Sequence, residues 1–217
     1  MTIEKDILEN LRQDYRSEKL SEKDVAASPI SQFSKWFKEA LAANLHEPNA
    51  MTLATTSIDR KPSARIVLLK GFDDKGFVFF SNYLSAKGKE IAKNPTVALL
   101  FYWGELERQV RVEGTVEKLS KEESDRYFQS RPKESQLSAL VSQQSQIIPN
   151  RVELENKWAE MEKLYADKKV PKPAYWGGYL VKPTLIEFWQ GRESRLHDRI
   201  MYKKADKQTW KIVRLAP

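Results

Sequence analysis

The stretch Phe188-Trp189-Gln190-Gly191-Arg192-Glu193-Ser194-Arg195-Leu196-His197-Asp198-Arg199 puts two aromatic rings, an imidazole and several guanidiniums close together. If it runs as a strand after a turn at Gly191, alternation projects Arg195, His197 and Arg199 from one face and turns Leu196 to the core. Such a face, entered past Phe188 and Trp189, suits a flat, anionic, aromatic ligand. Taken alone, R-x-H-x-R is a solvated polar hairpin, so its meaning depends on the rest of the chain.

Other groups with binding chemistry recur upstream. Arg65 and Lys70 flank four aliphatics, and in a regular strand they face opposite sides, so a ligand meets both only across the strand end. Ser85 is placed to cap a short helix whose free N–H groups, with Lys87 beside them, suit a phosphate. Tyr127 and Arg131 stand four apart at the end of a helix broken by Pro132, and Ser135 is expected to cap the next one. Tyr127, Arg131, Ser135 and Lys70 form a second candidate phosphate site. The run Gln143-Gln144-Ser145-Gln146 offers amides and a hydroxyl for a heterocycle edge. Each group by itself is equally a rim charge, a common serine cap or a hydrophilic loop.

Positioning these residues needs strands. Met51–Thr56, Ile66–Leu69, Phe77–Phe80, Val97–Trp103, Glu107–Leu119, Tyr179–Val181, Leu185–Trp189 and Trp210–Leu215 are β-rich, and Asp59–Pro62 and Asp73–Gly76 are turns. Pro173–Tyr179 reads as a turn where two backbones approach closely. Helices are expected from Ser28-Pro29, with Phe33, Trp36, Phe37, Ala40 and Leu41 on one buried face, and over Lys121–Gln129, Gln136–Gln143 and Val152–Tyr165. A further amphipathic helix is expected over Ile3–Arg16, followed by an aperiodic loop to Ala27. The fold class is therefore mainly β with helices (α+β), antiparallel and closed into a barrel. The division is a mobile segment 1–27 and a single domain 28–217.

Composition narrows the chemistry. With no cysteine and only His46 and His197 as histidines, thiolate catalysis, disulfides and ordinary zinc or iron–sulfur sites drop out, and no metal site is expected. Anything beyond acid–base work then requires an organic cofactor. The net charge of +7 favours anionic partners. No apolar run spans a bilayer and the charged N-terminus lacks a secretory signal, so a cytoplasmic location is expected.

Taken in order, R-I-V-L-L-K (65–70), S-x-K (85–87), L-E-R-Q-V (106–110), Y-F-x-S-R-P-x-x-S-Q (127–136), S-x-Q-S (142–145), W-G-G (176–178), E-F-W-Q-G-x-x-x-R-L-H-D-R (187–199) and terminal R-L-A-P resemble the pyridoxamine 5′-phosphate oxidase family. The resemblance implies a split β-barrel homodimer with FMN between the subunits, oxidising pyridoxamine 5′-phosphate or pyridoxine 5′-phosphate with O2. It places Arg65, Ile66, Val67, Leu68, Leu69, Lys70, Phe80, Ser81, Lys87, Gln109, Gln144, Ser145, Trp189 and Arg199 on the flavin. Lys70, Tyr127, Arg131 and Ser135 would hold the substrate phosphate, and Arg195 and His197 the pyridine ring as catalytic residues. Arg12 and Tyr15 would close over that ring. Ala86 departs from the pattern, because the family commonly has arginine between this serine and lysine.

Two rivals stand beside this reading. A basic chain with six tryptophans is compatible with nucleic-acid binding, although its cations are scattered rather than gathered in a stripe. A split-barrel flavoprotein with a different substrate is the nearer alternative. No G-x-G-x-x-G follows a strand, so a dinucleotide fold of that kind is not indicated. Neither nucleic acid nor a membrane is an expected partner.

Overall fold

The computed structural model describes Tyr15, residues 19–206 and residues 209–217. The expected helix over Ile3–Arg16 lies outside the described residues except at Tyr15. Nine strands hydrogen-bond in the order β2-β1-β5-β6-β7-β4-β3, with β8 on β7 and β9 on β8. They are β1 Ala50–Thr56, β2 Pro62–Leu68, β3 Gly71–Asp73, β4 Gly76–Asn82, β5 Thr96–Trp103, β6 Arg108–Lys118, β7 Trp176–Gln190, β8 Asp198–Lys204 and β9 Trp210–Leu215. The helices are α1 Pro29–Ala42, α2 Ala86–Lys93, α3 Lys121–Ser130, α4 Lys133–Val141 and α5 Arg151–Leu164. Among the described residues no helix is long and apolar enough to cross a membrane. The class is α+β and the registered strand pairs are antiparallel.

The chain divides into two compact units, and β5, β6 and β7 each run from one into the other. The first comprises 49–99 and 113–184. In it β1 and β2 form a hairpin from Ala50↔Leu68 to Thr56↔Pro62. Alternation buries Met51, Leu53 and Thr55 and leaves Ile66 exposed. The chain then turns through Lys70 into β3, a strand too short to register as a periodic pattern. Ser85 caps α2, its Oγ accepting from Gly88 N at 3.2 Å and donating to Asn82 O at 2.7 Å. Ser120 and Glu123 form a reciprocal capping box on α3. Ser135 is not a cap: α4 starts at Lys133, after Pro132, so Ser135 lies within its first turn.

The second unit comprises 1–48, 100–112 and 185–217. Ser28 caps α1, and Phe33, Trp36 and Ala40 are buried as their spacing requires. Leu41 is instead exposed, at the edge of the apolar stripe near the helix end. Trp36 meets Phe188 edge-on at 5.2 Å, and Phe188 meets Tyr202 at 5.6 Å. Residues 19–27 have no helix or strand but are anchored: Leu20 is buried and its N–H donates to Asp198, and the Tyr202 hydroxyl donates to Ala26 O at 2.6 Å.

Strand β7 corrects two expectations. The runs Tyr179–Val181 and Leu185–Trp189 are one strand, because the β4 pairing ends at Val181 and the β8 pairing begins at Leu185. Pro183 falls in the gap between those partners, where its missing N–H breaks no bond on that edge. The strand also starts at Trp176, so the expected turn at Pro173–Tyr179 ends sooner, and side chains rather than a second backbone crowd Gly177. A Cβ there would meet the Tyr83 hydroxyl at 2.1 Å. At Gly114 in β6 the obstacle is backbone, with Lys182 O 2.2 Å from an added Cβ. A carbonyl in a paired strand cannot swing aside as a side chain does. Gly114→Ala is therefore expected to destabilise the protein by roughly 1–3 kcal/mol, read as a lower midpoint in urea unfolding.

Candidate functional site

In the unit of residues 49–99 and 113–184, a cavity of about 680 Å³ gathers most of the candidate residues. Arg65, Ile66, Val67, Leu68 and Lys70 line it from β2 and the turn after it, and Phe80, Ser81 and Lys87 from β4 and α2. Tyr127, Arg131, Gln144 and Ser145 complete the expected set on it. Arg65 and Lys70 reach one space although they would oppose each other in a regular strand. The reason is that β2 ends at Leu68, and Lys70 sits in the turn, its N–H donating to Val78 O. Leu69 is buried and is not part of the lining. Nor is Ser135.

Four cations thus face one cavity, and no carboxylate is among its lining residues. Lys87 lies in the first turn of α2 and is nearly buried. Its ammonium donates to Gln144 Oε1 at 3.0 Å and Ser81 Oγ at 3.3 Å. Burial, and then the charge of Arg65, push the Lys87 pKa down, while Glu90 opposes them. Arg65 is clamped from behind: it donates to Ser63 Oγ, Thr55 Oγ1 and Leu53 O, and pairs with Glu90 at 3.1 Å. Burial raises the Glu90 carboxyl, but the bonds from Thr55, Ser63 and Arg65 together hold it below its ordinary value.

Arg131 is held differently. Pro132 forces it out of helical geometry, to φ −76° and ψ 151°. Its guanidinium carbon lies 4.7 Å from the Trp176 ring centroid, and burial lowers its pKa. Its Nη1 is the buried side-chain atom without a hydrogen-bond partner among the described residues. Tyr127 stacks on Phe80 at 3.8 Å, and the Phe80 and Trp176 rings are near-parallel at 5.4 Å. Sequence reasoning missed Trp176, Asn82, Ser138, Ala139 and Ser142 as lining residues. For Trp176 the glycines beside it signalled a turn and hid the ring.

The remaining candidates lie in the other unit. Gln109 is in β6, and Trp189, Arg195, His197 and Arg199 belong to or follow β7. The expected strand after Gly191 is absent. Glu193–Arg195 form a 3-10 turn with Ser194 and Arg195 at φ 56° and 59°, which abolishes alternation, and β8 begins only at Asp198. Leu196 is consequently 70% exposed instead of in the core. Arg195 is exposed, whereas the His197 ring packs 4.7 Å from Trp189 and 5.5 Å from Tyr15, which itself meets Trp189 at 5.7 Å. Arg199 donates to the buried carboxylate of Glu187 at 2.8 Å, and Arg111 reaches the other oxygen at 2.7 Å. Arg12 lies outside the described residues.

Family models decide the affiliation. One described as pyridoxamine 5′-phosphate oxidase matches residues 37–165, and one described as the pyridoxine 5′-phosphate oxidase C-terminal dimerisation region matches residues 176–217. The chain belongs to the pyridoxamine 5′-phosphate oxidase family. A pyridoxine/pyridoxamine 5′-phosphate oxidase of Nostoc punctiforme is 57% identical over 208 residues, covering 96% of this chain and 97% of its own. One of Rubrobacter xylanophilus is 56% identical over 210 residues, covering 97% and 96%. The crystal structure of PhzG from Burkholderia lata, in complex with tetrahydrophenazine-1-carboxylic acid, superposes with a TM-score of 0.87 at 30% identity over 93% of this chain and 99% of that one. An FMN-binding protein of Nostoc punctiforme shares the fold, with a TM-score of 0.71 at 16% identity over 89% and 100%. The fold is the family's antiparallel split β-barrel with helices, and the family is one of oxidases.

Within this family's frame the protonation of His197 follows from its contacts. Its Nδ1 accepts from Arg192 N at 3.1 Å, which leaves the proton of the neutral ring on Nε2 as a donor. Burial, followed by the charge of Arg195, lowers its pKa below 6.5. The neutral form persists down to that lowered value, and the stability it contributes is whole above the ordinary 6.5 and is lost as pH falls from there through the folded value. An NMR titration is expected to show His197 protonating below 6.5. Arg195→Leu is expected to move the midpoint upward but leave it depressed, since burial remains.

Proposed function

We propose that the chain is an FMN-dependent oxidase converting pyridoxamine 5′-phosphate and pyridoxine 5′-phosphate to pyridoxal 5′-phosphate. Dioxygen is the acceptor, hydrogen peroxide is released, and the amine substrate also yields ammonia. It acts in the cytoplasm as a homodimer, and the match of residues 176–217 to a dimerisation region supports that state. The observation that carries the reading is the cavity with Arg65, Lys70, Lys87 and Arg131 on its wall and no acid among its lining. Two phosphate monoesters bring roughly three to four negative charges, so cofactor and substrate together would balance the four cations.

The residues present fit FMN. Lys87 and the N–H groups at the start of α2 suit its phosphate, and the Gln144 amide and Ser145 hydroxyl suit a heterocycle edge. When bound, FMN supplies the acceptance of a hydride from the substrate C4′ carbon and its passage to dioxygen. Arg131, Tyr127 and Lys70 hold the substrate phosphate from the cavity wall, fixing the far end of the molecule. Arg195 orients the pyridine ring and faces its developing charge, while His197, with Nε2–H as donor, hydrogen-bonds to it. Tyr15, beside Trp189 and His197, covers the ring. Arg65, Ile66, Val67, Leu68, Lys70, Phe80 and Ser81 contact the flavin from the cavity wall.

The test is an oxidase assay on purified, FMN-saturated protein. Pyridoxine 5′-phosphate is expected to be consumed with stoichiometric peroxide, and unphosphorylated pyridoxine to have a kcat/KM lower by at least about a hundredfold, because charged hydrogen bonds contribute roughly 1.5–3 kcal/mol each. Equal values for the two would remove the cation set from substrate recognition. No turnover of either would favour a flavoprotein with another substrate.

Ala86, which lines the cavity in the first turn of α2, supplies a separate test of the cofactor-phosphate end. Ala86→Arg is expected to tighten FMN binding by about 1 kcal/mol, roughly five- to tenfold, with turnover of the saturated enzyme hardly changed. Fluorescence titration of the apoprotein measures it, and an unchanged dissociation constant would count against Ser85–Lys87 as the phosphate site.

A further inference from the structure

We infer that Trp176 is the positioning residue for Arg131, holding the substrate-phosphate guanidinium by its ring face so that no carboxylate has to. The inference rests on the reading of Arg131 as a phosphate ligand and adds a residue to it. The two guanidiniums of the cavity are supported in opposite ways. Arg65 has an acid behind it, Glu90 at 3.1 Å, and two hydroxyls at Thr55 and Ser63. Among the described residues Arg131 has no acid partner and no side-chain hydrogen bond, and its Nη1 is buried and unpaired. What lies against it instead is aromatic: Trp176 at 4.7 Å and Phe128 at 5.7 Å.

A ring face attracts a cation through its quadrupole without cancelling the charge or occupying the N–H groups at the edge of the guanidinium. A carboxylate in the same place would compete with the incoming phosphate for those donors. The ring itself cannot drift. Trp176 is 7% exposed, packs edge-on to Phe128 at 5.2 Å and belongs to a cluster with Leu137 and Val170. Its plane is within 3° of the Tyr127 ring, so the same side chain aligns both members of the phosphate-binding pair. The backbone of Arg131 is fixed separately, its carbonyl accepting from Gln136 Nε2 at 2.9 Å. Trp176 therefore sets the direction of the charge rather than the course of the chain.

The test uses FMN-loaded protein, titrated with inorganic phosphate in a calorimeter and assayed with pyridoxine 5′-phosphate. Trp176→Leu is expected to raise the phosphate dissociation constant and the KM by a common factor of roughly fivefold or more, with a smaller effect on kcat. Trp176→Phe keeps a smaller ring face and is expected to raise both only about twofold. In an Arg131→Ala background Trp176→Leu is expected to add nothing, because the cation it acts through is gone. A folded leucine variant with unchanged phosphate affinity would overturn the inference. So would an undiminished effect in the Arg131→Ala background, which would make Trp176 a packing residue only. If the leucine variant does not fold, the phenylalanine variant and its double mutant carry the same comparison. Because calorimetry reads phosphate without turnover, a wild-type protein that binds phosphate but does not oxidise pyridoxine 5′-phosphate would refute the proposed activity and leave this test standing.

Discussion

Positive charge gathered around one cavity is the constraint on which the unit of residues 49–99 and 113–184 depends. Arg65, Lys70, Lys87 and Arg131 repel one another, and burying a cation without a partner costs several kcal/mol. The fold lowers that cost without closing the cavity to anions. Neutral dipoles take part of it, as with Gln144 and Ser81 on Lys87. An aromatic face takes another part at Arg131, and one acid, Glu90, sits behind Arg65 and outside the lining. The lowered pKa values of Lys87 and Arg131, both led by burial, show that the compensation is incomplete. A bound dianion would complete it.

The other unit solves a different electrostatic problem. Glu187 is buried in β7 between Arg111 and Arg199. Burial pushes its carboxyl up, but the hydrogen bonds from Arg199 and Arg111 prevail and its pKa is lowered. Here the acid is internal and the guanidiniums surround it, so Arg199 is held in a fixed direction with its charge partly offset. Arg214 shows the reverse arrangement at the surface, one guanidinium bridging Asp198, Glu22 and the Leu20 carbonyl. Its two contacts to Glu22 hold that carboxyl down at about 2. The segment at Leu20–Glu22 is thereby tied to β8 and β9.

Positive φ angles recur at several non-glycine residues, among them the candidate residues Ser145 at 72° and Arg195 at 59°. Ser194 and Arg195 both adopt positive φ, a region that costs non-glycine residues of order 1–3 kcal/mol. The turn they make breaks the alternation that would have sent Leu196 inward, and it leaves Arg195 in solvent with His197 against Trp189. A regular strand would have put Arg195 and His197 on one face and made them equivalent. The turn makes one a free cation and the other a half-buried neutral donor.

Much of the architecture was legible because it rests on local rules. Ser28-Pro29 and Ser85 cap helices by reaching N–H groups two or three residues away, and β1, β4, β5 and β9 follow alternation or β-branched runs within a residue or two. The motif blocks from Arg65 to Pro217 were enough to identify the family. Local rules failed at β7 and Trp176, where partners are distant, and at Ser135, where a nearby proline prevailed. The runs 179–181 and 185–189 read as separate strands, yet β7 continues through Pro183 because its neighbours change at that point. Ser135 had the chemistry of a cap, yet Pro132 starts the helix earlier. Trp176 looked like part of a glycine turn, while its partners Phe80, Tyr127 and Arg131 lie about 45 to 96 positions away. The residue types, caps and strand periods were determined by sequence because each depends on neighbours along the chain. Which cations share a cavity, and what holds each one, was decided only by tertiary structure, because those energies depend on distances that spacing along the chain does not specify.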